Sequence, residues 1–513
     1  MSGPRPSARG YIGIDLGTSS TKAVLVGDDG TLHGSARVEY PMLSPHPGWN
    51  ENDPNDWRTA FVQVVSQLAA TATQQRVEVG GLALVAQRDP FVLLGDDDRP
   101  VAPAISWTDQ RARSQTEQVK RRVGEQRLID IAGARPIVGL GLGNLLWVRD
   151  EQPEVWSRVR RVVAPKDFVL GMLGQRRTTD ITTPTRSMAF DIAARRWSTE
   201  ILTPEQVPLE WFDTADLSPW EIWGGLDQHW ARKFGLPAGL PIGVGGSDDQ
   251  AATLGAGAAA PGDICLGTGT CSDWRLVLPS YQPDSSGVGD TSPHVVPDSF
   301  IREVTIDSAG SSLRWFRDVL CPGLSYAQIV ALATTAPAGA GGVRFLPFVD
   351  GGQRAPYYLD RSAGVFFGIN SHHRREHLAR AVLEGIALLY PSTYELLLAN
   401  VAPGSRPATD APLTMVDGEA SSVEWTRMKA DILGRPLRTT AVTEAAAMGA
   451  AVLAATAAGH FDSPATAAER MVQVTSVCDP DPRAHHTYQA IREDFEMLFA
   501  TVAPAFDLGG ERL

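Results

Sequence analysis

"YIGIDLGTSSTKAVLVGDDGTLHGSARVEY", residues 11–40, decides the fold. An apolar run into Leu16 meets a Gly17-Thr18-Ser19 turn, apolar residues resume over residues 23–26, and Asp29-Gly30 turns the chain into a third run. Turns of this chemistry between short apolar runs predict an antiparallel meander rather than a βαβ unit. "GDICLGTGTCSDWRLVLPS", residues 262–280, repeats the grammar: an apolar strand into Leu-Gly-Thr, a small-residue turn, then another strand. Gly17 and Gly267 lie 250 positions apart in a chain of 513, which points to two similar halves rather than a solenoid. On spacing alone, coincidence stays open.

A chain this long exceeds what one hydrophobic core serves, and two large domains is the simplest division. Helical patterns occupy residues 112–130, 142–150 and 374–400, and strand-like runs occupy 80–86, 160–165 and 343–349, so the class is mixed α/β. The weakest seam is "LGAGAAAPGD", residues 254–263. The expected organisation is a loose tail over 1–10, a first domain over 11–256 and a second over 257–513. Apolar residues at 43% and charged ones at 20% are ordinary globular usage. A net charge of −13 would repel a nucleic-acid backbone, and short basic clusters such as Lys120-Arg121-Arg122 suit solvated helix faces. Four cysteines without a C-x-x-C pair suggest a reducing compartment. The opening "MSGPRPSARG" lacks a secretory apolar region, and no apolar run approaches the roughly 20 residues of a membrane span. The expectation is a cytoplasmic protein with neither membrane nor nucleic acid as partner.

A phosphate-holding loop favours glycine, so that backbone N–H groups can point inward, and gains from hydroxyl donors. "DLGTSSTK" and "CLGTGTCSD" both qualify, although neither is a P-loop or a G-x-G-x-x-G turn, and ordinary hairpin turns are the plain alternative. Asp15 ends a buried apolar strand, where an acid is expensive unless a charge offsets it. Magnesium, reached through water, is the natural candidate.

"GIDLGTSSTKAVLV" resembles the first phosphate motif of the FGGY family of carbohydrate kinases, which includes xylulokinase, glycerol kinase, ribulokinase and gluconokinase. "PAISWTDQRA", "PKDFVLGMLGQRRTTDITTPTRSMAFD", "GVGGSDDQAATLGAG", "LGTGT", "FLPFVDGGQRAPYYLDRSAGVFFGI", "RAVLEGIA", "VDGEASSVEWTRMKADILGRPL" and "EAAAMGAAVLA" follow in family order. The resemblance implies a duplicated actin/hexokinase-like (ribonuclease H-like) ATPase fold, with two domains and a catalytic cleft between them. It also implies ATP and Mg2+ as cofactors and a small sugar or polyol as substrate. Dimers are common in the family.

By that pattern the base is the Asp of G-D-x-x-A-A, which the register with Ala251 and Ala252 puts at Asp248. Asp249 sits where relatives carry Gln or Asn and would support the base or contact sugar. From the residues alone, Ser247-x-x-Gln250 is also a capping-box pattern at a helix start, whose dipole would keep Asp248 ionised. The resemblance makes Asp15 the metal-associated acid, with Asp248 also toward the metal. Gly17, Thr18 and Ser19 would line the transferring phosphoryl group with Lys22 nearby, although Lys22 alternates with Val24 and could equally face solvent. Gly267, Thr268, Gly269 and Thr270 would hold the ATP tail, Gly418 and Glu419 the adenine side, and Ser422 with Trp425 fit an S-x-x-W spacing. The family's Gly-Gly-Gly is here Asp417-Gly418-Glu419.

"AQRDP", residues 86–90, is nearer to glycerol kinase's Gln-Arg-Glu than to xylulokinase's Gln-Met-His. Arg88 and Asp89 would then bind neighbouring hydroxyls, the alternative being a surface salt bridge. Trp107 would face the sugar's carbons, with Asp109 and Arg111 as structural supports. The glycines of "IVGLGLGN", residues 137–144, read as room for a substrate larger than glycerol, and S-x-x-W pulls toward pentuloses. The expected reaction is phosphorylation of a terminal hydroxyl of a ketopentose such as xylulose. The alternatives are glycerol, erythritol, ribulose or gluconate, or a non-catalytic sugar or nucleotide sensor. His372, His373 and His377 tempt as zinc ligands but read as an ordinary helix start.

Overall fold

A computed structural model describes residues 8–174, 176–359 and 361–509 of the chain. The tail expected over 1–10 lies outside the described residues for positions 1–7, and residues 9 and 10 already belong to a strand. The chain divides into two compact units, neither continuous in sequence. Met1–Ala260, Val277–Ile301 and Glu444–Gln473 form the first; Pro261–Leu276, Arg302–Thr443 and Val474–Leu513 form the second. No helix of the described residues is long and apolar enough to cross a membrane.

The first unit is built on a sheet of β1 (Arg9–Leu16), β2 (Ser20–Gly27), β3 (Leu32–Glu39), β4 (Glu78–Ala86), β5 (Ile222–Gly225) and β6 (Pro241–Gly243), in the order β5-β6-β4-β1-β2-β3. β1 to β3 pair antiparallel, as the turn residues predict. The helix Pro54–Gln75 then carries the chain across to β4, which lies parallel to β1. Asp53 caps that helix by accepting from Asn55 N–H, Pro54 opens it, and Arg76 ends it in the left-handed region at φ 57°. Trp57, Phe61, Val64, Val65, Leu68 and Ala72 recur at helical spacing and are all buried. Each of the larger ones contributes about 2–3 kcal/mol by leaving water.

The second unit carries β7 (Ile264–Thr268), β8 (Ser272–Leu278), β9 (Phe300–Ile306), β10 (Leu413–Val416), β11 (Leu437–Thr440) and β12 (Val474–Cys478), in the order β9-β8-β7-β10-β11-β12. β7–β8 is antiparallel, β7–β10 and β10–β11 are parallel, and β11–β12 is antiparallel. Outward from β1, the first sheet has the same senses in the same places: β1–β2 antiparallel, β1–β4 and β4–β6 parallel, β6–β5 antiparallel. The two sheets are one plan used twice. Over these strands the difference in threading is that β5 precedes its neighbour in the chain while β12 follows its own; the second sheet also has a seventh strand, Asp290–Pro293, next to β9.

Two helical expectations are divided. The 112–130 pattern forms Arg113–Val123 and Glu125–Ala132, broken at Gly124, whose φ of 93° lies outside any helix. The 374–400 pattern forms Arg375–Ala387 and Tyr390–Leu397. Pro391 lacks an N–H and its ring crowds the carbonyl four residues back, that of Ala387, where the first helix stops. The 142–150 pattern becomes Gly141–Glu151, and the strand-like runs become β4, Arg161–Val163 and Arg344–Leu346.

Within the first unit, the helices Asp248–Gly255 and Ala445–Ala457 touch backbone to backbone. A Cβ added at Gly255 would lie 1.9 Å from Ala445 O, one at Gly449 1.9 Å from Ala251 O, and one at Gly13 of β1 1.9 Å from Ala447 O. Gly449→Ala is therefore expected to cost about 1–3 kcal/mol or more in urea unfolding. Gly404→Ala, with nothing within 4 Å of the added carbon, should stay within about 0.5 kcal/mol of wild type.

Candidate active site

The parallel strands β1, β4 and β6 end on one edge, and the residues after them meet there. Asp15 lies near the end of β1, Gln87 to Asp89 follow β4, and Ala86 bridges to Ser247 at the head of the Asp248–Gly255 helix. Asp248 is partly buried, and its carboxyl is pushed well above the usual carboxylate range. Burial is the largest cause, followed by the neighbouring carboxylates of Asp249 and Asp15, with Arg88 opposing and Asp89 adding. The helix dipole alone would act the other way, so burial and the crowded acids outweigh it here. The capping-box pattern is not used either. Ser247 makes no side-chain cap; its N–H donates to Thr182 Oγ1 at 3.0 Å, and Gln250 Nε2 turns away to Ser292 Oγ at 2.7 Å. Asp248 Oδ1 itself accepts from Asp249 N–H at 3.0 Å.

Arg88 and Asp89 are buried, 3% and 9% exposed, so the surface-pair alternative is overturned. They also take different partners. Arg88 Nη2 donates to Asp249 Oδ2 at 2.7 Å and Nη1 to Thr185 Oγ1 at 3.3 Å. Asp89 Oδ1 accepts from Arg186 Nε at 2.9 Å, and Arg186 also donates to Asp290. Arg186 and Asp290, with Thr182 and Thr185, are functional neighbours that the sequence reading missed. One turn supplies three of them: Asp180 accepts from the N–H groups of Thr182 and Thr183 at 2.7 and 3.1 Å and is balanced by Lys166 at 3.3 Å. The turn thereby steadies the Asp248–Gly255 helix, Arg88 and Asp89 together. Arg186 could have been flagged as a lone cation among threonines and apolar residues, since a buried charge needs a partner. Nothing local signals Asp290, which comes from far along the chain.

Trp107 is half-buried and donates from Nε1 to Thr18 Oγ1 at 3.1 Å; Thr18 donates in turn to Gln87 Oε1 at 3.2 Å. Tyr40 O–H and Gln87 Nε2 both donate to Gly17 O, at 2.6 and 3.4 Å, so the first turn is clamped from two sides. Ser19 at its tip is exposed. Lys22 stands directly across β1–β2 from Asp15, hence on the same face, and pairs with Glu444 at 2.5 Å. Arg111 bonds Asp109 and Glu51, each at 2.7 Å, and lies 3.8 Å over the Trp49 ring, a supporting role as expected. The glycines read as pocket space are instead filled by neighbours. A Cβ at Gly139 would lie 2.0 Å from Trp107 O, one at Gly141 2.8 Å from the Phe91 ring, and one at Gly143 2.7 Å from Thr116 Oγ1.

In the second unit, Gly267 and Thr268 are buried and Gly269 and Thr270 exposed. The helix Gly310–Leu320 starts against this loop: a Cβ at Gly310 would meet Gly269 O at 1.8 Å, Ser311 N–H donates to Thr270 O at 3.1 Å, and Arg314 donates to Thr270 Oγ1 at 2.7 Å. Gly418 is exposed and faces Thr268 O. Asp417 has φ 65° and ψ −160°, a conformation that is essentially glycine's, and a Cβ at Gly267 would lie 2.4 Å from its Oδ2. Ser422 caps the helix Val423–Leu433, accepting from Trp425 N–H at 3.3 Å, which gives the S-x-x-W spacing a structural job. His373 and His377 bond the backbone at a helix start: each Nδ1 accepts an N–H, from Asn370 and Arg374, and His373 Nε2 meets Gly341 O at 3.0 Å.

The model for the N-terminal domain of the FGGY family of carbohydrate kinases matches residues 10–255, and that for its C-terminal domain matches residues 262–458. A xylulose kinase of Escherichia coli (strain K12) is 30% identical over 502 residues, which cover 96% of this chain and 99% of that protein. A xylulose kinase of Lactococcus lactis subsp. lactis (strain IL1403) is 28% identical over 496 residues, 95% of this chain and 96% of that one. The crystal structure of a xylulose kinase from Rhodospirillum rubrum superimposes with a TM-score of 0.85 at 28% identity, covering 97% of this chain and all of its own.

Asp417→Gly relieves the backbone conformation at that residue and is expected to stabilise the protein by about 1 kcal/mol or more, read as a higher urea midpoint. A lower midpoint would mean that the carboxylate's own contacts outweigh the backbone relief.

Proposed function

The chain belongs to the FGGY family of carbohydrate kinases, and on that premise we propose that it moves the terminal phosphoryl group of ATP to a terminal hydroxyl of a neutral, open-chain sugar, a ketopentose such as xylulose. The observation that carries the neutral substrate is the charge balance around Asp248. Arg88 and Arg186 are each held by carboxylates, and Asp15, Asp89, Asp248 and Asp249 gather with them. An acid sugar such as gluconate would enter against that surplus of negative charge, whereas hydroxyls can both donate to carboxylates and accept from guanidinium groups. The names of the relatives support xylulose among neutral sugars.

Phosphoryl transfer asks a protein mainly to position reactants and to accept one proton. Asp248 takes that proton from the attacking hydroxyl. Its raised affinity for a proton suits the task, because a base works best when its pKa approaches the working pH. Asp249 and Asp89, tied to arginines, orient the sugar's other hydroxyls, and Trp107 covers its carbons. Gly17, Thr18 and Ser19, with Lys22 beside Asp15, receive the phosphoryl group. Gly267, Thr268, Gly269 and Thr270 hold the nucleotide's phosphates, and Gly418 with Ser422 forms its base end, the Glu419 side chain being turned into the interior.

No three acidic, His or Cys side chains converge into a metal cage among the described residues. Magnesium needs none, since it keeps its waters and leans on one or two carboxylates plus substrate phosphates. Asp15, through water, and Asp248 would hold it, and their crowded charge fits a cation. Bound there it would neutralise charge on the phosphate oxygens. Four cysteines in a chain of 513, with no C-x-x-C pair, support a reducing, cytoplasmic setting.

A panel of xylulose, ribulose, glycerol, erythritol and gluconate, assayed with ATP and magnesium, is expected to give the highest kcat/KM on xylulose and the lowest on gluconate. Strongest turnover on glycerol or erythritol would overturn the pentulose assignment. Asp248→Asn should lower kcat by about 10²–10⁴ while sugar binding persists. Near-full activity in Asp248→Asn with a dead Asp249→Asn would move the base to its neighbour.

A further inference from the structure

Where the family pattern has three glycines, this chain builds a charge into the interior of the second unit. Glu419 is 7% exposed, and Lys429, on the Val423–Leu433 helix, is 0% exposed. Lys429 Nζ donates to Glu419 Oε2, and Tyr390 O–H donates to the same oxygen at 3.1 Å. The ammonium also lies 3.8 Å from the centre of the Trp425 ring. Tyr390 Oη in turn stands 3.4 Å from Thr268 Oγ1, which donates to Ser272 Oγ at 3.1 Å. Thr268 and Ser272 are the two stems of the loop that carries Gly269 and Thr270. Polar contacts therefore run from the glycine-motif position, through one phenol, to both stems of the other loop.

Stability does not account for the pair. Two charges taken out of water return little compared with apolar residues of the same size. Glu419 Oε1, moreover, is buried and has no hydrogen-bond partner among the described residues, an expensive condition for a carboxylate. What the pair does hold is geometry. Lys429 fixes Glu419, Glu419 fixes the Tyr390 hydroxyl, and Tyr390 stands against Thr268, while Gly418 sits over the carbonyl of that same threonine.

We propose that Glu419, Lys429 and Tyr390 are positioning residues for the nucleotide: they set the loop Gly267–Thr270 against Gly418 in place of the shape that consecutive glycines would otherwise confer. This role rests on the ATP reading of that loop given above. The test is ADP titration calorimetry with steady-state kinetics on the wild type, Tyr390→Phe and the double variant Glu419→Met/Lys429→Met. The phenylalanine keeps the ion pair and cuts the link to Thr268. The double variant removes both charges together, so that no orphan charge burdens folding. In both variants the ADP Kd and the ATP KM are expected to rise about fivefold to tenfold, the worth of about one hydrogen bond, with the sugar KM within about twofold of wild type and the thermal midpoint nearly unchanged. A fallen midpoint with an unchanged ADP Kd would make the cluster merely structural and overturn the proposal, as would an unaltered Kd in either variant. A wild type that binds neither ADP nor ATP would sink the nucleotide reading itself, and the positioning role with it.

Discussion

Backbone against backbone, with no room for a side chain at Gly13, Gly255 or Gly449, is the constraint on which the first unit's site depends. Strand β1 and the helices Asp248–Gly255 and Ala445–Ala457 reach this distance only because glycine occupies the three crossing points. The contact draws a late part of the chain into the unit that holds Asp15. Glu444, at the head of the second helix, consequently reaches Lys22, and Lys22 stands opposite Asp15 across the strand pair. The same packing fixes the axis of the helix whose first turn is Asp248 and Asp249. Three glycines thus set the positions of the strand and the helix that carry Asp15, Asp248 and Asp249.

Around that helix, charge is managed by pairing rather than by exposure. Arg88 goes to Asp249, Arg186 to Asp89 and Asp290, Lys22 to Glu444, and Lys166 to Asp180 and Asp167. Asp248 stands apart: burial first, and then charged neighbours that are mostly like-signed, raise its proton affinity. Asp249 and Asp89 each have an arginine, whereas Asp248 is left mostly to its acidic neighbours, which favours its taking up a proton. On the proposed reading, pairing would also favour a neutral substrate, because a substrate carboxylate would have to compete for guanidinium groups already in use.

The meander at residues 11–40, the repeat at 262–280 and the two turns were legible because turn chemistry and apolar alternation are local. The candidate acids were legible through their motifs. What escaped was contextual. Ser247-x-x-Gln250 has the composition of a capping box, but Thr182 and Ser292, distant in sequence, take the bonds a cap would have made. Gly139, Gly141 and Gly143 suggest empty space only while the residues against them are unknown; Trp107, Phe91 and Thr116 occupy it. Asp290 supports Asp89 through Arg186 across about two hundred residues, a relation that no pattern in a single sequence encodes. Even the discontinuous units follow from contacts of this kind, since Val277–Ile301 and Glu444–Gln473 join the first unit by packing.

The duplicated plan has unequal chemistry at equivalent places. Asp15 near the end of β1 corresponds, counting back from the Gly-Thr turn, to Cys265 in β7, and each faces a cation across its strand pair, Lys22 in one case and Arg275 in the other. In the second unit that cation is taken by Glu303 at 2.9 Å and Asp273 at 3.4 Å, and no acid occupies the strand position. On the proposed reading of the two loops the difference is apt: an acid behind the second would repel phosphate, whereas an acid behind the first could serve a metal. Asp417 breaks the arrangement, setting a carboxylate beside Gly267 on a backbone conformation that belongs to glycine. Its electrostatic cost would fall on any anion brought to that loop, and its conformational cost falls on folding. The two costs come apart, because the first depends on the charge and the second only on the presence of a Cβ.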